Sequence, residues 1–207
     1  MGCCSSQHAD SKASRLNRWR STGIVALRDS KLKMFKSSTE NLGCIAIIHD
    51  GSLLLLLYRF FSSTVDLLTF PEEVLNLERS VRTLDLTHNK IVDIPLDICK
   101  LINMQRLVLA DNLIQSLPIN LGKLQSLKVM TLDGNRISSL PDEFGQLVRL
   151  ERLSISRNSL EYLPETIGSL RNLQLLDVSN NKLKSLPESI GSCFSLEELQ
   201  ANGKLFL

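Results

Sequence analysis

The amino-acid sequence predicts an α/β repeat solenoid: a short arc of stacked units with a parallel β-sheet on the concave side and 3₁₀ or extended segments on the convex side. Three observations carry this reading. Asn89, Asn112, Asn135, Asn158 and Asn181 succeed one another at a constant spacing of 23 residues. Each is preceded by an alternating apolar pair, such as Leu84 and Leu86 or Leu107 and Leu109. A proline stands at one fixed offset after each, at Pro95, Pro118, Pro141, Pro164 and Pro187, followed by Ile98, Leu121, Phe144, Ile167 or Ile190. A constant period of this length marks units that cannot bury an apolar face alone and must stack on their neighbours.

Each position in the period has a physical role. Strand side chains alternate with period two, so the apolar pair sends two side chains into the core while the residues between and beside them face out. The asparagine amide both donates and accepts, so it can satisfy backbone groups buried where the chain leaves the strand, and stacked asparagines form a ladder. Proline fixes φ and cannot donate a hydrogen bond, which suits a convex side of extended or short 3₁₀ pieces. A unit of this length leaves little room for helix.

The five segments VRTLDLTHNKI, MQRLVLADNLI, LKVMTLDGNRI, LERLSISRNSL and LQLLDVSNNKL fit the template L-x-x-L-x-L-x-x-N-x-L with apolar substitutes. On these residues the sequence resembles the intracellular leucine-rich-repeat proteins of the Ras-group-related kind, and among them the small membrane-associated proteins akin to leucine-rich repeat-containing protein 57. The resemblance covers about residues 69–203, and the stretch 22–33 is similar to the segment that begins the repeat domain of that family. It implies an adaptor or scaffold in signal transduction, brings no catalytic residue and no cofactor, and suggests a protein partner such as a small GTPase or kinase-pathway component.

The period also exposes a break. Thr22, Val25, Leu27, Ser30 and Leu32 read as a degenerate first repeat over residues 22–33, with Ser30 in the asparagine position. Its continuation, Thr69-Phe70-Pro71, comes only after residues 34–68, which read as an insertion that breaks the repeat register. The window Leu42–Phe61 is apolar enough to raise a membrane-spanning helix, although His49, Asp50 and Arg59 count against a true span. A buried helical hairpin and a translated intron or splice product are the other readings of this segment.

The net charge of +2 is too small for a nucleic-acid footprint, but it is unevenly spread. Seven Lys or Arg against Asp10 and Asp29 give residues 1–33 a balance of +5, leaving −3 for the rest. Met1-Gly2-Cys3-Cys4-Ser5-Ser6 fits M-G-x-x-x-[ST], in which methionine removal exposes Gly2 to myristoylation. One myristoyl chain binds membranes only marginally, so a second signal is required. Palmitoylation of Cys3 and Cys4 and the basic run Lys12 to Arg20 can supply it. Residues 1–21 therefore read as a lipidated basic arm. The remaining cysteines, Cys44, Cys99 and Cys193, have no zinc or disulfide spacing, and without an early apolar signal sequence they read as reduced thiols.

No nucleophile stands beside a base, and no phosphate loop or metal-ligand cluster is present in the sequence, so neither an enzyme nor a small-molecule substrate is expected. The template instead places a partner-binding surface on the concave face. The solvent-facing positions are Arg82, Asp85, Thr87 and His88 with Thr83 in the first full strand, then Arg106, Val108 and Asp111, then Thr131 and Asp133. Further along come Arg152, Ser154 and Arg157 with Ser156, then Asp177, Ser179 and Asn180. A face of mixed charge suits a polar protein partner.

At the end of the chain Leu196, Leu199 and Ala201 reproduce a strand, but the asparagine column falls on Lys204. Residues 204–207 read as the end of a truncated or alternatively spliced form without a cap. Ile190, Phe194, Leu196 and Leu199 are then expected to be partly open to water, with fraying from about residue 190.

Overall fold

The computed structural model describes residues 12–26, 47–49, 52–54 and 69–202. Its centre is one parallel sheet of seven strands: β1 (Ile24–Ala26), β4 (Thr83–Asp85), β5 (Arg106–Val108), β6 (Val129–Thr131), β7 (Arg152–Ser154), β8 (Leu175–Asp177) and β9 (Glu198–Gln200). The strands lie side by side in chain order, and the register aligns equivalent residues of successive repeats. Val25, Leu84, Leu107, Met130, Leu153, Leu176 and Leu199 thus form one inward column. A second inward column runs through Leu86, Leu109, Leu132, Ile155 and Val178, all buried.

Between each pair of successive strands from β4 to β9 lies a 3₁₀ turn, at Leu96–Lys100, Ile119–Lys123, Asp142–Gln146, Glu165–Ser169 and Glu188–Ser192. The period's proline precedes every one of them in extended backbone, with φ from −67° to −71°. Its carbonyl accepts the first bond of the turn, as from the Ile98 N–H to Pro95 O at 3.1 Å. The proline thus starts a turn in which its missing N–H costs nothing.

The asparagine ladder is the polar half of the core. The Asn112 amide donates to Leu109 O at 3.0 Å in its own repeat and to Leu86 O at 2.9 Å in the one before, while its Oδ1 accepts from the Ile91 N–H at 3.0 Å. Asn135, Asn158 and Asn181 repeat the same three bonds one repeat further on. Each asparagine pins the exit of its own strand to that of its predecessor, so adjacent repeats cannot slip.

Three sequence expectations change here. Helix α1 (Lys12–Thr22) occupies residues 12–21 of the stretch read from sequence as a basic arm, and ends at the first residue of the degenerate repeat. Trp19 is only 5% exposed within the core, and Leu16, one turn before it, packs on the same apolar end. Two apolar side chains at i and i+3 share a helix face, which is enough to dock a short helix that is otherwise polar. Second, the described residues within 42–61 are strands rather than a helix: β2 (Ile47–His49) pairs antiparallel with β3 (Ser52–Leu54), His49 opposite Ser52. No described helix is long and apolar enough to cross a membrane. Third, strand pairing continues past residue 190. Leu199 of β9 pairs with Leu176, and the Asn180 N–H reaches Asn202 O. Phe194 is nevertheless 81% exposed, with Leu199 exposed as well and Ile190 and Leu196 half-buried.

Both flanks of the 34–68 segment lie against the same repeat. Val25 pairs with Leu84, and Thr69 makes a parallel bridge to Asp93. Phe70 is buried, and Pro71 leads into the short helix α2 (Glu72–Leu75), whose Val74 and Leu75 are buried.

Candidate functional site: the concave face

The parallel register sorts the outward residues into columns that run across the repeats. One column holds Thr83, Arg106, Val129, Arg152 and Leu175, with both arginines exposed. The next holds Asp85, Val108, Thr131, Ser154 and Asp177. Asp85 and Val108 were expected to face solvent, but they are buried, Asp85 to 2% exposure. They stand side by side in the sheet, with Ala26 of β1 on the other flank of Asp85. Asp85 is also occupied, accepting from the Thr87 hydroxyl at 2.7 Å and the Thr87 N–H at 3.2 Å. Thr131, Ser154 and Asp177 are half-buried.

Just beyond this column, Asp133 gathers the neighbouring repeat's groups. Its Oδ1 accepts from the Ser154 hydroxyl at 2.6 Å, the Ser156 N–H at 2.7 Å and the Ser156 hydroxyl at 2.9 Å. Three donors hold this carboxylate in place, making it a fixed feature of the surface. Asp177 accepts from the Ser179 N–H of its own turn, at 2.9 Å. Arg82 is exposed immediately before β4.

The last column comprises His88, Asp111, Gly134, Arg157 and Asn180, each directly before a ladder asparagine. All five take positive φ, between 52° and 66°. This left-handed step ends the strand and turns the chain so that the asparagine points inward. Asp and Asn tolerate it, whereas Arg157 does so at some cost. The side chains converge across repeats: His88 Nδ1 lies 3.2 Å from Asp111 Oδ2, and an Arg157 guanidinium nitrogen lies 3.4 Å from Asp111 Oδ1. Arg157 is two repeats from Asp111, and the repeat between them carries Gly134. A Cβ at 134 would collide with Asp111 Oδ1, so the glycine keeps open the notch that the ion pair spans. Sequence reasoning found His88, Asp111, Arg157 and Asn180 but missed Gly134. The signal was the D-G-N triplet, in which a glycine replaces a side chain on an otherwise decorated ridge.

A cluster of a different kind sits beyond the ladder, away from the concave columns. Lys184 Nζ contacts Glu161 Oε2 at 2.8 Å and the Tyr162 hydroxyl at 3.0 Å, and lies 4.8 Å from the Tyr162 ring centre. The hydrogen bond from Lys184, then its charge, lowers the Glu161 carboxyl below its usual range, and the same bond raises the lysine well above its own. Among the described residues no group of three His, Cys, Asp or Glu side chains could hold a metal ion. Gly2, Cys3 and Cys4 lie outside the described residues.

A family model described as leucine-rich repeat region matches residues 119–205, and one described as leucine rich repeat matches residues 79–137. The chain is a leucine-rich-repeat protein. Its repeats are of the Ras-group-related kind, being 53% identical over 110 residues to plant intracellular Ras-group-related LRR protein 7 of Oryza sativa subsp. japonica. That match takes in 53% of this chain and 29% of the rice protein, so the chain spans under a third of that relative's length. Among solved structures, the leucine-rich-repeat chain is similar to the Leptospira interrogans LRR protein LIC12759. The TM-score is 0.58 at 34% identity, over 65% of this chain and 34% of that one. It is also similar to the Arabidopsis receptor kinase HAESA, solved with the peptide hormone IDA and the co-receptor SERK1. There the TM-score is 0.59 at 28% identity, over 64% of this chain and 23% of the receptor.

Proposed function

We propose that this chain is a non-catalytic, protein-binding scaffold or adaptor in intracellular signal transduction, and that it binds its partner through the concave leucine-rich-repeat face. One observation carries the reading: the parallel register lines up polar side chains that packing does not require in columns across the repeats. Arg106 and Arg152 project from it, and the His88, Asp111 and Arg157 cluster runs along its ridge. Fixed, paired charges of both signs steer and orient a polar protein surface better than they would a lipid or a nucleic acid. The HAESA complex, with its peptide hormone and co-receptor, supports a protein or peptide ligand for repeats of this shape. The name of the rice relative points to a Ras-related pathway, and so to a small GTPase or kinase component as partner. The Gly2, Cys3 and Cys4 motif supplies a lipid anchor to the cytoplasmic face of a membrane, with a cytoplasmic pool.

The test is proximity labelling with the intact protein and with an Arg106→Glu, Arg152→Glu variant. Both side chains are exposed, so the variant should fold normally. The neighbours that depend on the concave face should disappear from the variant while its membrane fraction stays the same. An unchanged set of labelled proteins would rule out the concave face. Fractionation of Gly2→Ala tests the anchor separately, since loss of the lipid should move the protein to the cytosol.

A further inference from the structure

Neighbouring strands of a sheet lie about 4.8 Å apart and an α-helix rises about 5.4 Å per turn, so a helix laid along the stack sets one side chain per turn against each strand. In the outward column at the start of the strands, Arg106, Val129, Arg152, Leu175 and Glu198 follow one another in register from β5 to β9. Charged and apolar side chains thus alternate strand by strand. Both arginines are exposed and have no ion-pair partner among the described residues, while Val129 and Leu175 are half-buried beside them. The carboxylates over β5 to β7 are already engaged: Asp111 by His88 and Arg157, Asp133 by Ser154 and Ser156, and Glu151 by Lys128. Free charge in that stretch is therefore positive. It turns negative toward β9, where Glu197 and Glu198 are exposed, Glu198 also accepting from the Gln200 amide, and where Asp177 lies half-buried in the neighbouring column.

We propose that this column seats an amphipathic acidic helix of a partner protein, lying along the stack with its N-terminus over β5 and its C-terminus toward β9. The proposal rests on the concave-face reading above and names the partner element that the face takes. Positions i, i+4, i+7 and i+11 of a helix share one face. A carboxylate at i meets Arg106, an apolar side chain at i+4 meets Val129, a carboxylate at i+7 meets Arg152, and a second apolar side chain at i+11 meets Leu175. The two arginines, two strands apart, are separated by about 10 Å, and residues i and i+7 by about 10.5 Å, a mismatch that arginine side chains absorb. A cation at i+14 then faces Glu198. The order of charges sets the direction, since acidic residues favour the first turn of a helix and basic residues the last. An extended segment fits less well, because its same-side residues recur about every 6.7 Å and fall out of step with the strands.

The experiment uses the full-length protein and a fluorescent, alanine-based helical peptide with glutamate at i and i+7, leucine at i+4 and i+11, and lysine at i+14. Its charge-reversed twin carries lysine at i and i+7 and glutamate at i+14. Fluorescence anisotropy should show the first peptide binding roughly 30-fold more tightly than the twin. High salt should narrow the gap. In the Arg106→Glu, Arg152→Glu variant the preference should invert, so that the twin becomes the tighter ligand, with the circular dichroism spectrum unchanged. A version of the first peptide broken by a central proline should lose its binding. Equal affinity for the two peptides, an unaltered preference in the variant, or full binding of the proline version would overturn the proposal. If proximity-labelled neighbours nevertheless depend on Arg106 and Arg152, the concave face stands as the binding surface and the acidic helix alone is refuted.

Discussion

Strands β1 and β9 are the two outermost of the sheet, and Val25 and Leu199 occupy the same inward column, yet Val25 is 0% exposed and Leu199 41%. At the first end helix α1 and strand β2 both contact β1, and Trp19 is buried in the core there, whereas among the described residues nothing lies beyond β9. The contrast extends to other columns. Ile167, Phe144, Leu121 and Ile98 are fully buried, while Ile190, in the equivalent position of the last described 3₁₀ turn, is only half-buried. In a solenoid, burial belongs to the neighbour rather than to the residue: the same side chain in the same backbone setting is core or surface according to what stacks on it. The two ends are therefore a natural control for each other.

The largest expected effect breaks the closed end. Trp19→Ala removes a buried aromatic that shields the first column and should cost about 3–5 kcal/mol, where the matching truncation of the open end, Leu199→Ala, should cost about 1 kcal/mol or less. Leu176→Ala, one repeat inward from Leu199, should return to about 2–5 kcal/mol and so show that the neighbour sets the cost. Urea unfolding followed by far-UV circular dichroism measures all three. Equal losses for Trp19→Ala and Leu199→Ala would mean that α1 contributes no cover.

How much of this was readable beforehand follows from the same logic. The strand, asparagine and proline columns were legible because each repeat carries its own copy, and the backbone role of each residue is local. The cap was not. Its apolar content is only Leu16 and Trp19 among four basic residues, so charge dominated the reading, and docking could be recognised only with the surface it covers in view. Asp85 and Val108 show a related limit. Alternation sends them outward, but whether an outward residue meets water depends on what surrounds it in the fold, and both are buried. For the ridge, the residue types already carried a signal. His88, Asp111, Gly134 and Asn180 are the kinds that accept positive φ, and they share one position in the period. On the concave face, then, sequence placed the backbone, while the stacked structure decided which side chains reach solvent and which pair.

A subtler pair of substitutions should change sign between the interior and the open end. Gly145, Gly168 and Gly191 hold equivalent positions in successive 3₁₀ turns. A Cβ on Gly145 would lie 2.6 Å from the Thr166 carbonyl oxygen, and one on Gly168 would collide with the Ser189 carbonyl. Around Gly191 nothing lies within 4 Å. Gly168→Ala should therefore force two turns apart and cost about 1–3 kcal/mol. Gly191→Ala should stabilise by about 0.4–1 kcal/mol, because alanine restricts the unfolded chain and meets no neighbour in the folded one. Paired thermal melts decide this, and a destabilising Gly191→Ala would show that another surface covers this end in solution.

The smallest effect concerns the surface pair that bridges the last two described asparagine-bearing repeats. Lys184 donates to Glu161 at 2.8 Å across 23 residues, and this bond holds the Glu161 carboxyl below its ordinary range. The sign follows from linkage. A carboxyl whose folded value is depressed contributes stability that is present above its unfolded value and is lost as pH falls through the folded one. Both groups are open to solvent, so screening leaves little of this as net stability. Lys184→Met should return the Glu161 carboxyl toward its usual value in an NMR titration and flatten the acid side of the melting profile slightly, with almost no change in melting temperature at neutral pH. If the carboxyl titrated at the same pH in the variant, Lys184 would not be its partner in solution, and those repeats would be joined there by the Asn181 ladder bonds and by backbone bonds such as that from the Lys184 N–H to Glu161 O.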